Sequence, residues 1–269
     1  MMFAFLCVLY VVFLFVFGRT SSKGVVPVIK APSSVLEVSV KAKQADLLAG
    51  ISASDKEDGN LTESIFIEKI SKFDENKERT ITYVVFDSDD NISRATRKIK
   101  YTDYKEPVIT LKNALMYIFD SHFSVNTFLK DIIAVSSVDG NISSKISVTN
   151  AAYVNNYISN ITVSVTDSCG VKTSLDLNLL LLTKIPNIDI ELKTYLKRVK
   201  VGTTLTEIAP RDTIESISVM GIKDMSLKPV VELTHDYNPN VPGTYEFIYR
   251  ISSDNGDYGM TKLVVIVEE

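Results

Sequence analysis

The sequence predicts an all-β protein, three β-sandwich domains in tandem behind an N-terminal hydrophobic helix, and three observations point there. Residues 26–30 (VPVIK), 106–110 (EPVIT) and 185–189 (IPNID) each open a stretch of about 80 residues with the same landmarks in the same order. That period is too long for a solenoid unit and suits whole domains, each able to bury its own core. The later half of each stretch alternates apolar and polar residues with period two, the mark of strands with one buried and one wet face. Clusters of Asp, Asn and Gly separate the alternating runs at the spacing of sandwich turns.

Residues 1–18 carry no charged side chain. Eighteen helical residues reach roughly 27 Å, close to the ~30 Å hydrocarbon core of a bilayer. Residues 1–24 are therefore read as a transmembrane anchor or signal segment that meets the membrane through residues 2–18. No A-x-A pattern follows, Val16-Phe17-Gly18 being a substitute, and the length favours the anchor. Arg19 and Lys23 follow the apolar run, which by the positive-inside rule would hold the repeats in the cytoplasm. Sandwich repeats behind an apolar leader argue for export instead. The expected address is the extracellular side of the membrane, or secretion.

The first domain is assigned to residues 25–105, the second to 106–184 and the third to 185–269. Gln44–Ala49 reads as a single helical turn, and no long helix is expected past the leader. In the second domain Ile161, Val163 and Val165 point inward, followed by Leu175, Leu177 and Leu179. In the third, Tyr245, Phe247, Tyr249 and Ile251 alternate with Glu246, Ile248, Arg250 and Ser252, which are expected to face water. Turns are placed at 87–91, 167–170 and 253–256. Asp58-Gly59-Asn60-Leu61-Thr62 returns as Asp139-Gly140-Asn141-Ile142-Ser143, and Asp87-Ser88 as Asp167-Ser168. The third domain lacks the Asp-Gly-Asn element but keeps Val201-Gly202 and Gly243-Thr244-Tyr245. The connections are short, Asp103–Glu106 and Thr183–Ile185, with Pro107 and Pro186 beside them, which predicts an extended, stiff rod.

Residues 55–62 (DKEDGNLT), 83–88 (YVVFDS) and 243–249 (GTYEFIY) together resemble the bacterial immunoglobulin-like repeat. That module also occurs in pesticidal crystal proteins and Gram-positive surface proteins. The resemblance covers residues 25–269. It implies Ig-like sandwiches used as a spacer or adhesive module, and it brings no catalytic residues with it.

Charged residues make up 23% of the chain and the net charge is −4, with no basic stripe, so nucleic acid is not an expected partner. Cys7 and Cys169 do not form a disulfide framework, which suits a Gram-positive surface. Cys169 lies in a turn, with an exposed thiol as one reading and an inert residue as the other. Neither cysteine has a partner at zinc-ligand spacing. His122 and His235 fall in different domains, with no flanking residues to join a base to a nucleophile, so no enzyme is expected. The Asn-x-Ser/Thr triplets at Asn60, Asn91, Asn141 and Asn160 read as turn chemistry rather than glycan sites.

One candidate site remains. Asp55, Glu57 and Asp58 lie in one loop and Asp87, Asp89 and Asp90 in a later turn, and calcium would need their oxygens to meet at one end of the sandwich. Asp55, Glu57, Asp58 and Asp87 are the proposed calcium ligands, against solvated turn carboxylates as the default. The second domain has Ser136 and Val138 where the first has Asp55 and Glu57. No other cofactor is expected. Tyr153, Tyr157, Tyr237 and Tyr258 are the aromatic residues available for a sugar platform. A buried Lys, Asn and acid would allow an intramolecular Lys–Asn cross-link. The leading function is a non-enzymatic surface stalk or adhesion module that takes a surface protein or glycan as ligand. The alternatives are an accessory polysaccharide-binding module and a remnant of a longer protein.

Overall fold

A computed structural model describes residues 24–118, 124–155, 158–233, 237–252 and 256–269. The leader with Cys7, Arg19 and Lys23 lies outside these residues, as do His122, His235, Tyr157, the side chain of Tyr153 and positions 253–255 of the last turn. Among the described residues no helix is long and apolar enough to cross a membrane. The described residues divide into two compact units, one ending at Tyr104 and the other running from Lys105 to Glu269.

In the first unit β1 (Val28–Lys30) is followed by β2 (Leu36–Val38), helix α1 (Gln44–Leu48), β3 (Ser52–Asp55), β4 (Gly59–Asn60), β5 (Phe66–Ile70), β6 (Arg79–Phe86) and β7 (Ile92–Tyr101). One sheet has the order β1-β3-β4, the other β2-β7-β6-β5. Seven strands in two sheets are the sandwich plan expected from the period-two pattern. The opening segment changes sheets: β1 runs antiparallel to β3, whereas β2 lies parallel to β7 through Leu36 and Ile99. Pro32, which lacks an N–H for any ladder, sits in the crossover. Ile81, Tyr83 and Val85 turn inward from β6 and meet Leu47, Ile51, Ala53, Ile65 and Ile99. The single helical turn forms as expected because Leu47 buries against this core and the Asp46 carboxylate caps the Lys43 N–H at 2.8 Å. The Tyr83 hydroxyl donates to the Leu47 carbonyl at 2.7 Å, so burying the phenol leaves no polar group unpaired.

The second unit repeats the plan twice. Its first half holds β8 (Val108–Leu111), β9 (Met116–Ile118), α2 (Val125–Leu129), β10 (Ile132–Ser136), β11 (Gly140–Asn141), β12 (Ser147–Asn155), β13 (Ile158–Thr166) and β14 (Lys172–Leu182). The sheets are β11-β10-β8 and β12-β13-β14-β9, with β9 again parallel to β14. Its second half holds β15 (Ile188–Leu192), β16 (Leu196–Lys200), α3 (Leu205–Ile208), β17 (Ile214–Val219), β18 (Ile222–Lys223), β19 (Val230–Leu233), β20 (Gly243–Ser252) and β21 (Tyr258–Glu268). Here the two sheets join at one corner, where Ile188 of β15 pairs with Gly259 of β21. A Cβ on Gly259 would fall 2.8 Å from both the Cβ and the carbonyl oxygen of Ile188, so only glycine fits this corner.

The inward sets Ile161, Val163, Val165, Leu175, Leu177, Leu179 and Tyr245, Phe247, Tyr249, Ile251 are all buried as the alternation predicts. The outward set of β20 departs from expectation: Glu246 and Ile248 are buried too. The reason lies in β21, whose run Leu263–Val267 is apolar without interruption, the signature of a strand covered on both faces. Leu263, Val265 and Val267 pack into the third repeat's own core. Val264 and Ile266, with Leu196 of β16, pack against Ile109, Leu115, Leu177 and Leu179 of the second repeat. One apolar cluster therefore crosses residues 184 and 185. In the second sandwich β8 and β9 are edge strands.

Candidate functional site

The two acidic loops of the first unit do meet, and most of the oxygens of Asp55, Asp58 and Asp87 accept hydrogen bonds from the chain itself. Gly59, at φ +76°, closes the β3–β4 hairpin in a left-handed conformation, which brings Lys56–Asp58 back over Asp55. Asp55 is only 9% exposed, and its Oδ1 accepts the N–H groups of Glu57 at 2.6 Å and Asp58 at 3.0 Å. The Asp58 N–H, then the Glu57 and Lys56 N–H groups, hold the Asp55 carboxyl below the usual carboxylate range. Asp58 reaches the other loop and accepts the Ser88 N–H at 2.7 Å and its hydroxyl at 2.8 Å. Asp87 accepts the N–H groups of Asp89 and Asn91 on one oxygen and the Asn91 side-chain amide on the other. Glu57 and Asp89 turn instead toward Gly24, where a Cβ would lie 2.4 and 2.8 Å from their carboxylate oxygens. The Oδ2 of Asp55 is buried with no hydrogen-bond partner. Among the described residues no three His, Cys, Asp or Glu side chains gather into a group that could hold a metal. Asp55, Asp58 and Asp87 act here as turn carboxylates, and the Glu57 carboxylate lies beside Gly24.

The second repeat explains the motif. Asp139 accepts the Ser168 N–H at 2.7 Å, just as Asp58 accepts that of Ser88. Burial works against the Asp139 charge, but the Ser168 hydroxyl and N–H and the Lys145 ammonium outweigh it and lower its pKa. Asn60 accepts the Thr62 N–H, and Asn141 that of Ser143. The Thr62 and Ser143 hydroxyls in turn receive the Ala53 and Ala134 N–H groups. The Asp-Gly-Asn-x-Ser/Thr element is thus a staple that ties a hairpin to the turn between the last two strands. Asn91 is buried against Asp87, in keeping with the turn reading of its triplet.

Sequence reasoning missed the charged residues inside the second unit. Lys262 on β21 is 1% exposed and donates to Glu246 Oε1 of β20 at 2.7 Å; Glu246 is 8% exposed. The same ammonium donates to the main-chain carbonyl of Asn178 on β14 at 2.5 Å, across the boundary between repeats. Loss of solvent drives the Lys262 pKa down, and the Glu246 charge only partly restores it. Arg198 on β16 donates to the Ile109 carbonyl at 3.2 Å and also binds the Glu268 carboxylate. A lysine set in an apolar run, Thr261-Lys262-Leu263-Val264-Val265, is the signal that could have located this pair.

Cys169 is buried, which removes the exposed-thiol reading. Tyr237 is half-buried, stacked edge-on against Tyr245 and Phe247, with its hydroxyl on the Thr203 carbonyl. Tyr258 lines a cleft of about 410 Å³ between the repeats with Leu180–Lys184, Arg250 and Met260. A second opening of about 380 Å³ lies beside α3, lined by Leu205, Ala209, Arg211 and Val231. At the β17–β18 turn Met220 is 84% and Ile222 74% exposed.

No protein-family model and no curated protein sequence matches the chain. Among solved structures it is similar to the CBM51-2 and INT domains of Clostridium perfringens ZmpB, determined in complex with GlcNAc. That alignment has 19% identity over 57% of this chain and 41% of that one, with a TM-score of 0.23. It is also similar to human CDH23 EC21-23, at 12% identity over 90% of this chain and 100% of that one, TM-score 0.23. Mouse cadherin-23 EC22-24 aligns at 10% identity over 91% and 99%, TM-score 0.19. The chain spans 30% to 41% of the length of the Clostridium chains it matches. At these TM-scores the all-β sandwich assignment rests on the sheets themselves.

Proposed function

We propose that the chain is a non-enzymatic, extracellular surface protein of the bacterial immunoglobulin-like kind. Residues 2–18 hold it at the membrane, and its repeats serve as a stalk or adhesion module on a Gram-positive cell. The observation that carries this reading is the fate of the polar groups. The repeated carboxylates Asp58 and Asp139 each fasten one loop to another, and the buried Lys262 pairs with Glu246 of its own repeat while bonding the Asn178 carbonyl of the other. Side chains used this way support a scaffold whose work is to hold its shape. Protease treatment of intact cells carrying the full chain tests it. Surface display predicts that the repeats are cleaved while a cytosolic marker survives; repeats protected until the cells are lysed would refute it.

A second reading is an accessory polysaccharide-binding module. It is favoured by the inter-repeat cleft, where the Tyr258 ring and Arg250 stand together. Binding on a glycan array that is lost in Tyr258→Ala would support it.

A further inference from the structure

We infer that the second and third repeats form a single mechanical and folding unit, latched by Arg198 and Lys262, so that neither sandwich opens without the other. Three observations converge. The apolar contact is shared: Leu196, Val264 and Ile266 of the third repeat complete a cluster otherwise built from the second, so separating the repeats exposes both sides to water. The polar contacts are placed where the second repeat needs them. Its four-stranded sheet ends at the short edge strand β9, whose ladder to β14 runs from Leu180 to Leu182 and stops short of Asn178. The Asn178 carbonyl is capped instead by Lys262. In the other sheet β8 is the edge, and its Ile109 carbonyl is capped by Arg198. Each cation has an acid of its own repeat, Glu246 for Lys262 and Glu268 for Arg198. Pulling the repeats apart would strand a buried ion pair and two edge carbonyls at once, and a buried polar group without a partner is disfavoured.

The latch also sets the path of force. Arg198 joins Ile109, in the first strand of the second repeat, to Glu268, at the end of the last strand of the third. Tension between residues 105 and 269 is then borne by the contact face as well as by the connection at 183–185. This concerns the chain's own mechanics and holds whether or not the protein is displayed on a surface.

Single-molecule stretching of the full chain tests the inference. The second unit should open in one step that releases 165 residues, a contour of about 590 Å at ~3.6 Å per residue. Two separate steps of about 80 residues each, in place of that one, would overturn it. In Arg198→Ala/Lys262→Met the single step should divide into two; an undivided step would remove the two cations from the role. Hydrogen exchange on the unaltered chain gives a readout that needs no variant. Amides of β13–β14 and of β20–β21 should share one protection level within about threefold, and a tenfold or greater gap would contradict joint opening.

Discussion

Replacing Lys262 by methionine keeps the length of the side chain but leaves Glu246, 8% exposed, without the ammonium 2.7 Å away. The Asn178 carbonyl loses a donor in the same step. Removing one partner of a buried pair typically costs about 3–5 kcal/mol, because the remaining group stays buried after losing its counter-charge. For a unit of this size each kcal/mol moves the midpoint by about 2–4 °C, so Lys262→Met should lower it by roughly 6–20 °C. The double variant Lys262→Met/Glu246→Leu should recover most of that loss, since apolar replacement of both partners is often neutral or stabilising by about 1–4 kcal/mol. Thermal and denaturant unfolding followed by circular dichroism would read both effects. A single variant within about 1 kcal/mol of the parent, or a double variant no better than the single, would mean that this pair does not hold the strands together.

Gly259→Ala should destabilise the second unit, because its new methyl meets the Ile188 main chain at 2.8 Å; an unchanged midpoint would mean that the corner between the two sheets is loose. Asp139→Ala should lower stability by about 1–2 kcal/mol, as the hydrogen bond from the Ser168 N–H to the Asp139 carboxylate is lost, and urea unfolding would show it. Asp55, Asp74 and Asp139 all have folded pKa values below the ordinary 3.8. The unfolded chain therefore takes up protons first, and the stability these carboxylates contribute is present above pH 3.8 and lost as pH falls through their folded values. The melting temperature should fall as the pH drops below about 4, and a rise in that range would contradict the assignment. Added calcium should leave the melting temperature unchanged, because Asp55 Oδ1, Asp58 and Asp87 already accept turn N–H groups and the second Asp55 oxygen is buried; an increase of several degrees would mean that these loops rearrange around the ion.

The sandwiches were legible because alternation reports directly which side chains face inward: Ile161, Leu177, Phe247 and their neighbours are buried as read. The hairpin staple was legible as a repeated string, Asp-Gly-Asn with Asp-Ser, though not as chemistry. Whether the oxygens of Asp58 point to a cation or to the Ser88 N–H depends on how two loops some 30 residues apart meet, and sequence spacing does not hold that information. The wet face expected for β20 failed for a related reason. Glu246 reads as solvent-facing from its own strand, and only Lys262 two strand positions away on β21, with the second repeat beyond it, makes the site dry. The unbroken run Leu263–Val267 carried the clue, since a strand with one wet face would alternate there.

One topological feature recurs three times, a second strand that lies parallel to the last strand of its own repeat. Nuclear Overhauser contacts in the isotope-labelled full chain would test it. The fold predicts parallel-strand contacts linking Leu36 with Ile99, Met116 with Leu180 and Leu196 with Val264. Antiparallel contacts at these positions, or pairing of β9 or β16 with any other strand, would contradict the threefold sandwich plan.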